Sequence, residues 1–517
     1  MTKERSLEDI LALPRDACEA EPIHRAPGIQ PHGALLVVDA EGTALTRSAN
    51  LGDIVGPAAP VAGERAAARL PEGLAALVRR AAPLSPGDYV ADVHALDDGA
   101  ILYGTATAAA DGVLLEVERL PAADAVLSDQ ALEEDLYDGL RQLRRAPDLH
   151  TLAGAAAGAV QRITGFQRVL VYRFDPDGHG AVVGEARTEA WPESLLGFHF
   201  PESDIPAQAR ALYRRSLMRF TPARDYAPVP LEPATDPRTG RPFDLTHARL
   251  RSLSPIHQAY QRNLGVDGAM SLSVLDEKGN LWGLIVGHHR DPFWVPPTGR
   301  AQAATIAEAF ALRVRAVEYA ADQEARLAHT HAHARVLERI AGARDLDAVV
   351  NADPRALLGL FDATGLAVLA PEAPRGERLA TWGRTPPEGD VAAYVDHLSR
   401  TGCLPAGVHV TEAAPAVFAP FHAHRTIASG ALTLAIGFKR PRYLVWFRPE
   451  AVRTTTWGGR PDKAVAFDGN NTPLPRRSFA RWVAVQRARS RPWPAWHVTS
   501  ARSLRTALNG LMARQHN

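Results

Sequence analysis

The feature that most constrains the fold is a helical pattern that starts after Pro297 and runs towards Ile340 with few helix-breaking residues. A helix of this length cannot be buried within one small domain, so we expect it to connect domains. Its first half carries an apolar stripe at helical spacing: Ile306, Phe310, Val314 and Val317. The stripe exceeds what one small domain needs, and it predicts a homodimer, parallel or antiparallel.

Length and composition limit the class of protein. The 517 residues are too many for one core, so roughly two to four domains are expected. The chain has 58 basic and 58 acidic residues, which gives no basis for binding nucleic acid or a membrane. No apolar run reaches the ~18 residues of a transmembrane helix, no secretory signal is visible, and two cysteines exclude a disulfide framework. We therefore expect a cytoplasmic protein.

Hydrophobic patterns divide the chain into three α+β domains. Residues 1–122 contain short β-branched runs with Gly and Asp turns, and residues 123–318 start with a helix capped by Ser128 or Asp129. Residues 319–517 form the third domain, with a candidate cap, Ser500, for the last helix. Its long insertion rich in Gly, Pro and Asn, at about 448–482, is predicted to be functional.

Two short motifs, GFHFPESDIP at 197–206 and SPIH at 254–257, contain the most informative polar residues. Asp204 precedes Ile205-Pro206, where proline disfavours regular helix, so its carbonyl and side chain are free to face a ligand. With a neutral His257 it could bind a cationic polycyclic nitrogen ligand. The alternative is that Asp204 is the N-cap of a helix starting near Pro206.

These motifs, together with YRFDPDGHGAVVGEAR (172–187), RSLSPIHQAYQRNLGV (251–266) and LWGLIVGHH (281–289), resemble the chromophore-binding GAF domain of phytochromes. Residues 18–39 resemble a bacteriophytochrome PAS domain, and LVWFRPEAV, TWGG and PRRSF resemble a PHY domain with its hairpin tongue. The resemblance implies three tandem PAS/GAF-like domains, with antiparallel sheets flanked by helices, joined by a long spine helix. It also implies a figure-of-eight knot, with Ile29 buried inside the loop 221–252, although knots are rare.

The resemblance implies that biliverdin IXα is bound through a thioether to Cys18. Acidic neighbours argue against a catalytic thiolate, but a single slow addition to a vinyl group suits this thiol. Without the resemblance, Cys18 would equally be a small buried hydrophobe, which is our interpretation of Cys403.

The resemblance also implies a set of ligand contacts. Asp204, with Ile205 and Pro206, faces the pyrrole nitrogens and the tongue, His257 reaches those nitrogens through a water, and His288 bonds the D-ring carbonyl. The walls of the D-ring cavity are Tyr172, Phe200, Tyr213 and Tyr260.

Two arginines are implied to bind the ligand's propionates. These are Arg219 and Arg251, with Ser254 and Ser271 as hydroxyl partners, and a guanidinium fork suits a carboxylate. Ala269 stands where the family has a further serine, so one propionate hydrogen bond is missing. Either arginine alone is more often a solvated charge.

Four tongue residues resemble the family's switch: Trp457, Arg476, Ser478 and Phe479. A buried pair of Arg476 with Asp204 would cost roughly 3–5 kcal/mol to break, enough to couple the chromophore to the tongue.

Rival functions receive less support. The chain shows no ATP lid and no H-E-x-x-H or G-x-S-x-G motif, so no enzyme is predicted. His288 and His289 point to opposite faces of a strand, and His329 with His333 could bind zinc only weakly, so a solvated helix face is expected and no metal. The prediction is a red/far-red photoreceptor that signals to an output domain or partner protein. The alternatives are the sensory half of a light-regulated histidine kinase, or a GAF ligand sensor without photochemistry.

Overall fold

The structure is a computed structural model that describes residues 21–96, 99–110, 112–120, 130–175, 178–370, 378–404, 407–437, 441–459, 466–467, 473–474 and 479–514. Cys18, Arg476, Ser478 and the candidate caps Ser128 and Asp129 lie outside these ranges. The chain forms two compact units. Unit 1 comprises residues 1–318 and 456–482, and unit 2 comprises residues 319–455 and 483–517.

The first part of unit 1 forms an antiparallel sheet with flanking helices. Its elements are β1 (Gly28–Ile29), β2 (Gly33–Val38), β3 (Ala44–Ser48), α1 (Leu51–Val55), α2 (Glu72–Ala81), β4 (Tyr89–Ala95), β5 (Ile101–Ala109) and β6 (Gly112–Leu120). The next region contains α3 (Gln130–Arg145), α4 (Leu149–Thr164), β7 (Arg168–Phe174), β8 (Gly180–Arg187), β9 (Phe198–Phe200), α5 (Ala207–Tyr213), β10 (Met218–Thr221), β11 (Val229–Glu232), α6 (Pro255–Leu264), β12 (Gly268–Leu275), β13 (Leu281–His289) and α7 (Pro297–Gly342). A 3-10 helix, Glu202–Asp204, precedes α5.

The first sheet has the order β1-β11-β3-β2-β6-β5-β4, so a strand from the loop 221–252 completes it. A Cβ atom at Gly28 would lie 2.2 Å from the Val229 carbonyl oxygen, so only glycine permits this approach. Ile29 is fully buried in a core that includes Leu231, Phe243, Leu245 and Leu250. Ile29 is thus buried against residues of this loop, whereas its predicted position inside the loop, with the chain passing through it, stays a prediction.

The second sheet has the order β10-β12-β13-β7-β8-β9, followed by two tongue strands, and its local signals are visible in the sequence. Asp148 caps α4 by accepting a hydrogen bond from the Thr151 amide at 2.8 Å. In the β12–β13 turn, Asp276 accepts from the Asn280 amide at 2.8 Å, and Gly279 supplies the positive φ of 76°.

The apolar stripe of α7 packs inside unit 1. Ile306, Phe310, Val314 and Val317 are at most 7% exposed and belong to the core between α4 and the second sheet. The expectation that this stripe exceeds what one small domain needs is therefore wrong, and the homodimer inferred from it stays a prediction. A helix that leaves a domain still buries one face within that domain.

Unit 2 has a five-stranded antiparallel sheet with the order β15-β14-β18-β17-β16. Its elements are α8 (Leu346–Ala352), α9 (Pro354–Leu360), β14 (Gly365–Ala370), β15 (Arg378–Gly383), α10 (Glu388–Arg400), β16 (Val408–Thr411), α11 (Ala414–Val417), α12 (Arg425–Ala428), β17 (Gly430–Ile436), β18 (Arg442–Arg448) and α13 (Ala495–Arg514). A further 3-10 helix is Ala419–His424. Cys403 packs partly buried against the core on one face, as expected for a small hydrophobe.

Two sequence expectations fail in unit 2. Helix α13 starts at Ala495, so Ser500 lies inside it and is not its cap. The Ser500 hydroxyl is 2.7 Å from Nε2 of His329, and the rings of His329 and His497 lie 4.7 Å apart. The solvated face predicted for His329 is thus partly buried against α13.

The tongue segment contains β19 (Arg453–Gly458), β20 (Ala466–Phe467), β21 (Pro473–Leu474) and β22 (Arg481–Gln486). β20 and β21 pair as a short antiparallel hairpin. Among the described residues, no helix is long and apolar enough to cross a membrane.

Candidate functional site

Unit 1 contains a cavity of about 570 Å³. Its walls come from one face of the second sheet, from the 3-10 turn before α5, from α5 and α6, and from tongue residues that include Gly459 and Trp482. Every described residue that the sequence assigned to ligand binding borders it: Tyr172, Phe200, Asp204, Ile205, Pro206, Tyr213, Arg219, Arg251, Ser254, His257, Tyr260, Ser271 and His288.

The alternation of side chains along the strands brings several of these residues together. Cross-strand partners share a face, and two rows of partners point into the cavity. The first row is Thr221, Ala269 and His288, and the second is Arg219, Ser271, Val286 and Leu170. Residues between the rows, such as Phe220 and Val169, belong to the core on the opposite face.

Two arginines lie side by side in the cavity wall. Nη2 of Arg219 donates to the main-chain oxygen of Arg251 at 2.8 Å, and Nη1 of Arg251 donates to the Leu245 carbonyl oxygen at 3.0 Å. Burial lowers the pKa of both guanidinium groups, and the charge of Arg219 lowers that of Arg251 further. Nη1 of Arg219 is buried and has no hydrogen-bond partner among the described residues. Such an unused buried donor favours an anionic ligand, and neither arginine is a solvated surface charge.

His257 lies in the first turn of α6. It keeps some accessible surface because it borders the cavity, but it lies deep in the protein. This burial lowers the pKa of His257 to about 4, and the charge of Arg219 adds to the effect. The ring is therefore neutral at physiological pH and can both donate and accept a hydrogen bond.

Asp204 ends the 3-10 turn at the cavity wall. Its Oδ2 accepts a hydrogen bond from the Tyr260 hydroxyl at 3.4 Å. Helix α5 has no side-chain cap at its N-cap residue, Pro206, so the alternative of Asp204 as an N-cap is wrong. The carboxylate instead belongs to the lining of the cavity.

Ser254 is the N-cap of α6 and links that helix to the N-terminal segment. Its hydroxyl accepts from the Ile256 amide at 3.2 Å and donates to Oε2 of Glu21 at 2.6 Å. Glu21 also borders the cavity. The sequence reasoning missed Glu21, which no local motif distinguishes.

Arg168 was also missed. It lies opposite His288 in the β7–β13 pair, and its Nη2 is 3.1 Å from Nδ1 of His288. Its guanidinium carbon lies 3.7 Å from the centre of the Trp191 ring. The sequence carries a signal for it. Arg168 is two residues before Leu170 and four before Tyr172 on the same strand, so its side chain is expected on the same face as theirs.

Aromatic side chains form a further part of the cavity wall. Tyr172 and Phe200 have ring centres 6.1 Å apart and share a small core with Leu284, Tyr213 and other residues. This apolar part of the wall would exclude water from a ligand.

The tongue residue Phe479 packs against these aromatic residues. Trp457 pairs with His199 in a parallel register and contacts the ring of His179 at 5.0 Å. The ring of Phe479 meets that of Tyr260 edge-on at 5.2 Å. The roles predicted for Arg476 and Ser478 fall on residues outside the described ranges. Within those ranges, no cluster of three or more His, Cys, Asp or Glu side chains could hold a metal.

The arrangement suits an elongated, mostly apolar ligand with negative groups. Its lining offers two arginine cations, polar side chains that include His257 and Asp204, and several aromatic rings. A cavity of about 570 Å³ is of the size that encloses a cofactor.

Three family models match the chain in order. The PAS fold matches residues 18–120, the GAF domain residues 148–316, and the phytochrome region residues 329–517.

Relatives and solved structures agree with these matches. The bacteriophytochrome of Xanthomonas campestris is 31% identical over 97% of this chain and 79% of its own length. Cyanobacterial phytochrome B of Nostoc is 30% identical over 96% of the chain, which spans 66% of that relative. The crystal structure of the bacteriophytochrome RpBphP3 of R. palustris has a TM-score of 0.78 at 32% identity, covering 96% of this chain and 99% of that one. The Stigmatella aurantiaca phytochrome photosensory core module has a TM-score of 0.71 at 32% identity, covering 97% and 99%.

Proposed function

Because the chain belongs to the phytochrome family, with its PAS, GAF and PHY domains in order, we propose that it is a red/far-red photosensory module that binds biliverdin IXα covalently through Cys18. The observation that carries the proposal is the cavity with two buried arginines, one of which has an unused buried donor. Biliverdin has two carboxylates for these cations, and its conjugated rings fit between neutral polar groups and aromatic walls.

Each part of the cavity has a proposed task. Arg219 and Arg251 hold the propionates, with Ser271 beside Arg219 in the same row of the sheet. His257 reaches the pyrrole nitrogens while neutral, and Asp204 accepts from them. His288 binds the terminal carbonyl, and the aromatic wall leaves room for one ring to turn. Bound biliverdin supplies the absorption of light and the isomerisable double bond.

Cys18 is proposed to attach the ligand. Glu21 borders the cavity three residues later, so an extended chain keeps Cys18 within about 11 Å of it. The thiol adds across a vinyl group: a carbon–sulfur bond forms, the thiol proton passes to the other vinyl carbon, and nothing leaves. Cys18→Ser should bind bilin without a covalent bond, so zinc-induced fluorescence on a denaturing gel should disappear. A persistent band would place the link elsewhere, with Cys403 as the candidate.

The tongue is proposed to transmit the light signal. Its residues Gly459, Ala480 and Trp482 border the cavity, so a change in the ligand's shape can alter tongue packing. Asp204 is proposed to pair with Arg476 in one state and release it in the other, a two-state element biased by the ligand. Arg476→Ala should keep the attached bilin but weaken the photoproduct, and Asp204→Ala should weaken it more. Unchanged photoconversion and dark reversion in Arg476→Ala would contradict this role.

Assembly and output follow from family membership as further proposals. We propose a cytoplasmic homodimer that passes the signal along its helices to an output domain or a partner, as in the sensory half of a histidine kinase. In unit 1, Leu312 and Tyr137 are 79% and 64% exposed on helices α7 and α3 and are candidates for the contact. A monomer in light scattering at micromolar concentration would contradict the dimer.

One absorption spectrum before and after red light tests the function as a whole. A green protein with a light-driven, reversible band shift is expected after addition of biliverdin. A colourless protein, or a coloured one without a shift, would favour a GAF ligand sensor without photochemistry.

A further inference from the structure

The hydrogen-bonded pair of Arg168 and His288 lies at the edge of the cavity. The two residues are directly opposite each other on β7 and β13, so the register of the sheet sets their side chains on one face. Both are buried, at 3% and 8% exposure, and Nη2 of Arg168 lies 3.1 Å from Nδ1 of His288. His288 borders the cavity, whereas Arg168, on the neighbouring strand, does not.

A guanidinium group has only donors, so the hydrogen bond fixes the proton on the imidazole. Nδ1 of His288 must accept, and the ring proton of neutral histidine then sits on Nε2. A protonated imidazole would place an N–H group against the guanidinium, donor against donor and cation against cation. Of the two ring nitrogens, Nε2–H is then the one left for a ligand, and it can only donate.

The charged groups around the pair favour the same state. Burial lowers the pKa of His288, and the charge of Arg168 lowers it further. His257 would act in the same direction only where it is itself protonated, below neutral pH. Burial also lowers the pKa of Arg168, to about 10, against a raising effect of Glu185, so Arg168 stays charged at neutral pH. Arg290 and Tyr260 are the other ionisable groups acting on Arg168, and Trp191 stacks on its guanidinium.

We propose that Arg168 is a positioning residue that holds His288 neutral with its proton on Nε2, so that His288 offers the ligand only a hydrogen-bond donor. The site thereby selects a ligand with an acceptor at this end, the terminal carbonyl oxygen of a bilin and not its ring N–H. The identity of the ligand rests on the proposed function, but the protonation state of His288 does not.

The test is made first without chromophore. The full chain is labelled with ¹⁵N-histidine, and the His288 signals are identified by their loss in His288→Gln. The wild type should show a bare Nδ1 and a protonated Nε2 from about pH 5 to about pH 8. Arg168→Met, which keeps length but removes the donor and the charge, should spread the proton over both nitrogens and raise the pKa of His288.

Two further variants separate positioning from folding. Arg168→Lys retains a charged donor and should restore the Nε2–H form. Arg290→Met is the matched control, because Arg290 also lies over Trp191, at 4.2 Å, but donates to the Ala190 carbonyl instead. It should leave the His288 signals unchanged. A wild-type His288 protonated on Nδ1, or the wild-type pattern in a folded Arg168→Met, would overturn the proposal.

The chromophore gives a second readout. With biliverdin bound, the absorption band of Arg168→Met should change with pH where that of the wild type and Arg290→Met does not. If the wild type does not bind biliverdin, the proposed ligand is wrong, but the assignment of the His288 proton to Nε2 is unaffected. If Arg168→Met does not fold, the His288 signals of the wild type and of Arg168→Lys still test the proposal.

Discussion

Replacing Arg300 by Met would measure how strongly one buried ion pair joins the first sheet to helix α7 within unit 1. Nη1 and Nη2 of Arg300 donate to Oε1 and Oε2 of Glu118 at 3.0 and 2.7 Å. The two residues are only 5% and 7% exposed. The guanidinium also lies 4.8 Å from the Phe220 ring and 5.4 Å from the Trp294 ring.

The magnitude follows from the burial of the charge that remains. Removing one partner of such a pair costs about 3–5 kcal/mol, because the other charge stays buried without compensation. For a unit of this size, that loss corresponds to a melting temperature lower by roughly 10 °C. Replacing Glu118 and Arg300 together by Met removes both charges, so the double variant should be more stable than either single variant.

The loss should depend on pH. Burial has the largest single effect and raises the pKa of Glu118, but the charge and hydrogen bonds of Arg300 and the charges of His32 and Arg249 together outweigh it, so the net pKa is lowered. His32 contributes nothing to this lowering at neutral pH, because burial lowers its own pKa to about 4 and the ring is then uncharged. In the wild type the pair thus stabilises the fold above the unfolded pKa of a glutamate, and this contribution is lost as the pH falls through the lower folded value. In Arg300→Met the burial of Glu118 is opposed only by His32 and Arg249. We therefore expect the pKa of Glu118 to be raised, so that protonation relieves the penalty as the pH falls.

The assay is urea unfolding of the wild type, both single variants and the double variant, at about pH 7 and about pH 5. The penalty of Arg300→Met should be larger at the higher pH, and the pair should show a coupling energy of at least about 1 kcal/mol. Additive single effects, or a penalty independent of pH, would refute the reasoning.

Three other perturbations have defined outcomes. Arg219→Met should stabilise the chromophore-free protein in thermal unfolding, because it removes a buried cation, while weakening biliverdin binding in a titration; loss of both would contradict a ligand role. Trp446→Phe should cost about 1–3 kcal/mol in urea unfolding, because it leaves the Leu357 carbonyl, now bonded at 2.9 Å, without its donor; an unchanged midpoint would contradict it. Phe479→Ala should speed amide hydrogen exchange at 456–459 and 479–482, since the edge contact with Tyr260 contributes about 0.5–1.5 kcal/mol; unchanged exchange would show that the contact does not hold the tongue.

Local pattern predicted much of the cavity because alternation along a strand is a local property. Once β12 and β13 are recognised, Ser271 and His288 fall on faces that their neighbours define. The Arg168–His288 contact could not be predicted in the same way. It depends on which strand lies beside β13 and in which register, and that is decided by the packing of the whole sheet.

The wrong expectations have a related cause. Ser500 has the chemistry of a helix cap, but helix α13 had already begun at Ala495. His329 looks solvated on its own helix, and only the presence of α13 buries it. The stripe at Ile306 looks superfluous until α4 and the second sheet are folded against it. In each case a residue was interpreted from its own segment, whereas its burial is set by a distant one.

The balance of buried charge around the cavity supports the proposal that an anionic ligand binds there. Glu116 is buried, but its carboxylate already accepts from the Leu250 amide at 2.6 Å and the Arg249 amide at 3.0 Å. Glu118 is taken by Arg300. Among the described residues, Arg219 and Arg251 therefore form no ion pair with a carboxylate, although burial lowers the pKa of both. A buried cation without a carboxylate partner destabilises a fold, so the proposal predicts that these positions cost stability until a dicarboxylate binds. On the proposed function, the same two residues select an anionic chromophore, and the stability of unit 1 should rise when it binds.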